Sequence, residues 1–303
     1  WFGKWIYNTF GTSPKYISTV NPRTRVRVAR NILRNNGFFN SDVTYDVIPL
    51  KDSLKAKIAY SVFPGNLYRL DSIEFRPFPV SVDTIIRRNL SATKLISGNG
   101  FNVSALDEEK TRLSDILRDR GFYNFRPEFI TYKADTVMRP GHVQLRVEPV
   151  SPMPEEATRR YVIGDTRITM LKYDDFVIVD SISPRRSKRR TGDSVTSSQL
   201  AASSRSSVSG SSRRLSRLRD VKMLYSGCPG KEPLRLSEIR KYLYYQKGNE
   251  YNHSRMSRVG DRLSGMGLFS QMQMDFSPRR AQDSLAPDTL DVNIFAMLDK
   301  PFD

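Results

Sequence analysis

Apolar positions along the chain recur with two periods, one near 3.6 and one near 2, and each change of period marks a change of element. Leu106, Leu113 and Leu117 fall on one helical face, as do Met256, Val259, Leu263 and Met266, so two amphipathic helices are predicted there. Past each helix the period shortens. Met272, Met274 and Phe276 alternate with Gln271, Gln273 and Asp275, and Leu290, Val292 and Ile294 alternate with Asp291 and Asn293. Such alternation predicts paired strands with one apolar face. By the same reading residues 42–48 pair with 56–62, and 128–133 pair with 143–147, where Val143, Leu145 and Val147 face inward.

The pattern occurs three times. Each time a helix ends in a glycine followed by two bulky residues, a polar residue and a strand: Gly37-Phe38-Phe39-Asn40, Gly121-Phe122-Tyr123-Asn124 and Gly267-Leu268-Phe269-Ser270. Glycine suits a left-handed residue that ends a helix, and the residue after it folds back onto the core. Asn21 with Pro22, Ser104 with Asp107, and Asn252 are the expected helix starts, since a side-chain oxygen accepts from the free first-turn amides. Upstream, the second copy opens with a strand at 68–75 and a short helix near 82–90. The third opens with a strand at 161–170 and a helix near 237–245. The expected fold class is α+β, built from tandem β-α-α-β-β modules, each a three-stranded sheet covered by two helices. The module boundaries fall at 1–66, 67–152 and 153–303, with the first module beginning at a helix near 2–10 and lacking its opening strand.

Composition changes this picture in one place. The net charge is +17 over 303 residues, but residues 181–219 hold ten Lys or Arg against Asp193 alone, a net of +9, which leaves +8 for the other 264. That stretch is rich in Ser and poor in aromatics, so it cannot bury enough apolar area to offset its ordering and is expected to be a disordered insertion of the third module. It reads either as a solvated linker or as an electrostatic contact for acidic lipid or an acidic partner, with Arg185, Arg186, Lys188, Arg189, Arg190, Arg213 and Arg214 as the contacting residues. A nucleic-acid binder acting through the same segment is the alternative function, although no base-reading motif accompanies it and nucleic acid is not an expected partner.

No apolar run reaches the length of a membrane-spanning helix. The chain opens at Trp1 without a signal region, so it reads as a trimmed piece of a longer protein. Cys228 is the sole cysteine, which excludes a disulfide framework, and a plain thiol is expected there. His142 and His253 have no partners at metal-ligand spacing. Asp107, Glu108 and Glu109 are expected in a first helical turn, where acids favour the helix dipole, and Ser97-Gly98-Asn99-Gly100 reads as a turn between helices. No nucleophile with a neighbouring base presents itself, so no catalytic residue, metal or cofactor is expected.

The run from Pro64-Gly65-Asn66-Leu67-Tyr68 to Ile73, the Leu-Arg-Asp-Arg-Gly-Phe-Tyr run at 117–123, Tyr132-Lys-Ala-Asp-Thr136 and Lys247-Gly-Asn-Glu-Tyr-Asn252 resemble polypeptide-transport-associated (POTRA) domains. With Trp5-Ile-Tyr7-Asn8, Phe10-Gly11 and Pro14, the likeness extends to the TamA-like outer-membrane assembly proteins of Bacteroidetes, relatives of BamA. It spans nearly the whole chain except about 180–220, and the carboxy-terminal membrane barrel of those proteins is absent. The resemblance implies a location on the periplasmic face of the bacterial outer membrane and membrane attachment through that barrel. It also implies partners: unfolded outer-membrane or surface-exported polypeptides, and accessory assembly proteins. Extended clients add a strand to a sheet edge through backbone hydrogen bonds. In such domains the strand after the second helix is an edge. The candidate binding residues are therefore Thr44, Tyr45, Asp46, Val47 and Ile48; Phe129, Ile130, Thr131, Tyr132 and Lys133; and Met272, Gln273, Met274, Asp275 and Phe276.

Overall fold

A computed structural model describes residues 20–50, 55–171, 213–218, 220–226, 234–281 and 287–299. They fall into two compact units, Trp1–Leu113 with Arg126–Met153, and Ser114–Phe125 with Pro154–Asp303. The fold class is α+β.

In the first unit, helix α1 (Pro22–Asn35) starts as expected: the Asn21 side chain accepts from the Thr24 amide and proline occupies the first helical position. None of its residues is buried, and Val28 and Ile32 stay about half exposed. Strands β1 (Asp42–Pro49) and β2 (Ala56–Phe63) follow as an antiparallel pair. The helix expected near 2–10 lies outside the described residues.

Next come β3 (Arg69–Phe75), α2 (Val80–Arg88), α3 (Val103–Arg118), β4 (Ile130–Asp135) and β5 (His142–Pro149). The sheet order is β3-β5-β4, with β3 parallel and β4 antiparallel to the central β5. Val143, Leu145 and Val147 of β5 are buried, as their alternation predicted, as are Val82 and Ile86 of α2 and Leu106 and Leu113 of α3. Each such side chain contributes about 1.5–3 kcal/mol through burial. Three expectations need correction here. Asn102, not Ser104, caps α3, accepting from the Ser104 amide at 2.7 Å. No acid stands in the first turn of α3, and Glu109 is instead a fully buried carboxylate. Phe129 closes a 3-10 turn at Pro127–Phe129, so the strand begins one residue later, at Ile130.

The second unit has the order β6 (Tyr161–Leu171), β7 (Arg213–Leu218), β8 (Val221–Ser226), α4 (Leu236–Tyr242), α5 (His253–Ser264), β9 (Phe269–Arg279) and β10 (Asp288–Leu298). Its sheet has five strands, β7-β8-β6-β10-β9, where three were expected. The additional pair continues from β6, because β8 lies parallel to it while β7 pairs antiparallel with β8. Of the stretch 181–219 expected to be disordered, Arg213–Leu218 form strand β7, which Arg213 and Arg214 open, and 181–212 lie outside the described residues. Val221, Met223 and Tyr225 explain the pairing, since their alternate positions on β8 are buried in the same core as Ile163, Ile168 and Met170 of β6 and Leu290, Val292 and Ile294 of β10. Met256, Val259 and Leu263 of α5 are buried in that core too, and Met266 packs partly buried against it.

Candidate functional site

β4 borders its sheet and pairs on one side only, running from Ile130 opposite Pro149 to Asp135 opposite Gln144. An antiparallel strand bonded on one side directs alternate N–H and C=O groups outward, and among the described residues no second strand meets them. Ile130 is buried and anchors the strand. Tyr132 is half-buried: its hydroxyl donates to Leu106 O at 3.0 Å and the Lys110 ammonium lies 5.1 Å from its ring centroid. Burial raises the Tyr132 pKa above the usual phenol value, and the carboxylates of Glu109 and Asp107 raise it further. Beside the strand lies a groove of about 450 Å³ lined by Glu74, Lys133, Asp135, Val137 and Arg146 among others. Its cations are paired across strands, Lys133 with Glu148, and Arg146 with Glu74 at 3.5 Å, while Asp135 accepts from the Val137 amide at 2.8 Å. At its rim Val137 is 87% exposed and the adjacent Met138 74%, an apolar lip above a polar floor.

β9 is one edge of the five-stranded sheet, with β7 at the other. Met272, Met274 and Phe276 turn toward the core, while Gln273 and Asp275 face outward with Gln273 Nε2 donating to Asp275. Pro278 opposite Leu290 removes one donor from this edge. Thr44, Tyr45, Asp46, Val47 and Ile48 all lie in β1, which among the described residues pairs with β2 alone, and Val47 and Ile48 are exposed. Of the basic candidates, Arg185, Arg186, Lys188, Arg189 and Arg190 lie outside the described residues, as does Cys228.

The structure brings the glycine turns, which the sequence reading treated only as helix ends, together with strand and loop residues. At α1 the glycine turn meets the start of β3: the Tyr68 amide donates to Gly37 O at 2.9 Å, Asn40 Nδ2 donates to the Tyr68 hydroxyl at 3.3 Å, and the Phe39 ring stands edge-on to Tyr68 at 5.1 Å and 5.2 Å from Phe101. Within the second unit the same contacts recur. The Tyr161 amide donates to Gly121 O at 2.9 Å, Asn124 Nδ2 donates to the Tyr161 hydroxyl at 2.8 Å, and Tyr123 packs edge-on to Tyr161 at 5.8 Å and to Tyr251 at 5.2 Å. The turns at Gly37 and Gly121 thus each seat on the opening strand and on the loop that precedes the second helix of the following copy. Those loops, 97–101 and 247–251, pair with β3 and β6 through the bridges Arg69 to Gly100 and Val162 to Glu250. The turn expected at 97–100 is one of them. Glycine-Asn at 98–99 and 248–249, each followed two residues later by an aromatic and Asn, is the signal that identifies the loops. Phe276, a candidate on β9, also lies 5.6 Å from Tyr123, so its ring is engaged in this joint and only its backbone borders the edge.

Glu109 holds the connection between α2 and α3. Its carboxylate accepts from Thr93 Oγ1 at 2.9 Å, the Lys94 amide at 3.0 Å, and Arg112 Nη2 and Nε at 2.6 and 2.8 Å. Among the described residues no group of His, Cys, Asp and Glu is arranged to hold a metal ion, and no helix is long and apolar enough to cross a membrane. His142 Nδ1 lies 3.1 Å from Pro140 O, and His253 Nδ1 lies 3.3 Å from the Tyr251 hydroxyl.

Fold and site together define an α+β protein whose β-α-α-β-β order recurs, joined by aromatic turns and bordered by open strand edges. No family model matches the chain, and no curated protein matches it. Among solved structures it is similar to POTRA domains 3–5 of Haemophilus influenzae BamA, at 14% identity over 92% of this chain and 80% of that one, with a TM-score of 0.45. It is also similar to POTRA domains 1–3 of the periplasmic domain of Omp85 from Anabaena, at 15% identity over 92% and 82% with a TM-score of 0.27. A third similarity is to the N-terminal domain of Omp85 from the cyanobacterium Thermosynechococcus elongatus, at 16% identity over 98% and 92% with a TM-score of 0.26.

Proposed function

We propose that this chain is a non-enzymatic, periplasmic polypeptide-binding scaffold of an outer-membrane assembly or translocation machine. On this reading an extended segment of an unfolded outer-membrane or surface-exported chain adds a strand to β4. Accessory assembly proteins dock on the same arm, and a carboxy-terminal barrel ties it to the membrane. The observation that carries the reading is the open edge of β4, bonded on one side by β5 and flanked by the groove between Glu74, Lys133 and Arg146. Backbone pairing supplies affinity without regard to client sequence, while the exposed Val137 and Met138, just past the end of β4, offer an apolar contact at that end of the edge. The edges of β1 and β9 are further docking strands in this proposal; of these, β9 is restricted by Pro278 and by the engagement of Phe276 in the joint.

Amide hydrogen exchange tests it directly. A peptide copying one strand of an outer-membrane barrel is expected to slow exchange across residues 130–135 by about tenfold, the change that roughly 1.4 kcal/mol of added protection produces. Protection that appears only outside β1, β4 and β9, or none at saturating peptide, overturns the proposal.

A further inference from the structure

On the solvent side of α5, Arg255, Arg258 and Arg262 stand three and four residues apart, a spacing that brings side chains to one helix face. With Tyr244, from the segment between α4 and α5, they line a cleft of about 310 Å³, at the lower end of the size range of small-ligand sites. Three of the four lining residues are cations. Among the described residues none of the three guanidinium groups forms an ion pair with a carboxylate, although Asp261 lies on the same helix.

The groups are also held in place. Arg262 lies over the Tyr244 ring at 4.5 Å and donates to the Tyr244 hydroxyl. Arg258 Nε donates to Ser254 O at 3.2 Å, which commits one of the five donors of its guanidinium. Arg255 is half-buried and its guanidinium makes no hydrogen bond within the described residues. Like charges gathered in a cleft repel one another, and a bound anion relieves that cost. Planar, multi-donor guanidinium groups beside a hydroxyl match the several oxygens and the multiple charge of a phosphate, which three cations gathered at one place favour over a singly charged carboxylate.

We infer that Tyr244, Arg255, Arg258 and Arg262 form a phosphate-binding site. It is independent of strand addition at β4 and involves none of the same residues. The phosphate belongs either to a lipid headgroup or to a soluble phosphate compound, and both present the same oxygens.

The whole chain is titrated with inorganic phosphate at constant ionic strength, balanced by chloride, while the Arg Nε–Hε resonances are followed by NMR. Saturable shifts are expected at Arg255, Arg258 and Arg262, and Arg255→Gln with Arg258→Gln is expected to weaken binding about tenfold or more. Arg258 is exposed and Arg255 only half-buried, and Gln keeps part of each side-chain stem, so circular dichroism and melting are expected to stay close to the parent; Tyr244→Phe, which keeps the ring and loses the hydroxyl, provides a milder second variant. Vesicles of phosphatidylcholine with and without phosphatidylglycerol then separate the sources. Association that needs the anionic lipid and falls in the double variant assigns a headgroup, whereas a phosphate response without vesicle association assigns a soluble compound. Shifts that do not saturate, that chloride reproduces, or that survive the double substitution unchanged overturn the inference.

Discussion

Glu109 shows how much one side chain can decide. Burial by itself raises the pKa of this carboxyl, but the hydrogen bonds from Arg112, the Lys94 amide and Thr93, with the charge of Arg112, outweigh burial and leave it below the ordinary value of 4.5. A folded pKa below the unfolded one means the carboxylate stabilises the fold fully above about pH 4.5, and that this contribution disappears as pH falls through the lower folded value. Glu109→Gln is expected to cost about 3–5 kcal/mol at neutral pH, because Arg112 loses its buried partner. The gap between variant and parent is expected to close as the pH is lowered below that window, which urea midpoints measured from neutral to acid pH will show. The acidic run at 107–109 signalled only a helix start in the sequence. Its separation into exposed Glu108, paired with Lys94 at 2.6 Å, and buried Glu109 follows from where the α2–α3 connection crosses the helix.

Among the elements, the glycine turns divide their work between neighbours. Phe122 is buried and its amide donates to Leu117 O, a six-residue helix-closing bond, while Tyr123 reaches the opening strand of the next copy. Gly37 has φ +84°, and a Cβ there would stand 2.8 Å from Phe101 O; Gly267 has φ +67° with nothing within 4 Å of such an atom. Gly37→Ala therefore adds a backbone clash to the left-handed strain that both glycines share. It is expected to destabilise by roughly 1–3 kcal/mol more than Gly267→Ala, read from denaturant midpoints. The helix and strand pattern was legible because period and capping are local properties. The joint was not, because Tyr68, Phe101, Tyr161 and Tyr251 look like ordinary strand and loop residues until the chain folds them against a turn far away in sequence.

Over the whole molecule, charge and backbone edges act on different partners. Strand addition at β4 uses neutral backbone groups, and the cations bordering the groove, Lys133 and Arg146, are already paired, so peptide affinity is expected to change less than about twofold between roughly 0.05 and 0.3 M salt. Nucleic-acid binding through the basic stretch, with its net charge of +9, would instead weaken by orders of magnitude over the same range. A calorimetric salt series on the whole chain separates the two, and a steep loss of peptide affinity would contradict backbone pairing. The sequence by itself determined the α+β class, the recurring helix-glycine-strand unit and the inward faces of β5, β9 and β10, since each follows from spacing within a dozen residues. Only the tertiary structure decided that β7 and β8 widen the last sheet to five strands, that Glu109 is buried, that the aromatic turns are joints, and that three arginines of α5 share a cleft with Tyr244. Each of these depends on contacts between segments distant along the chain, which no local period of polar and apolar residues encodes.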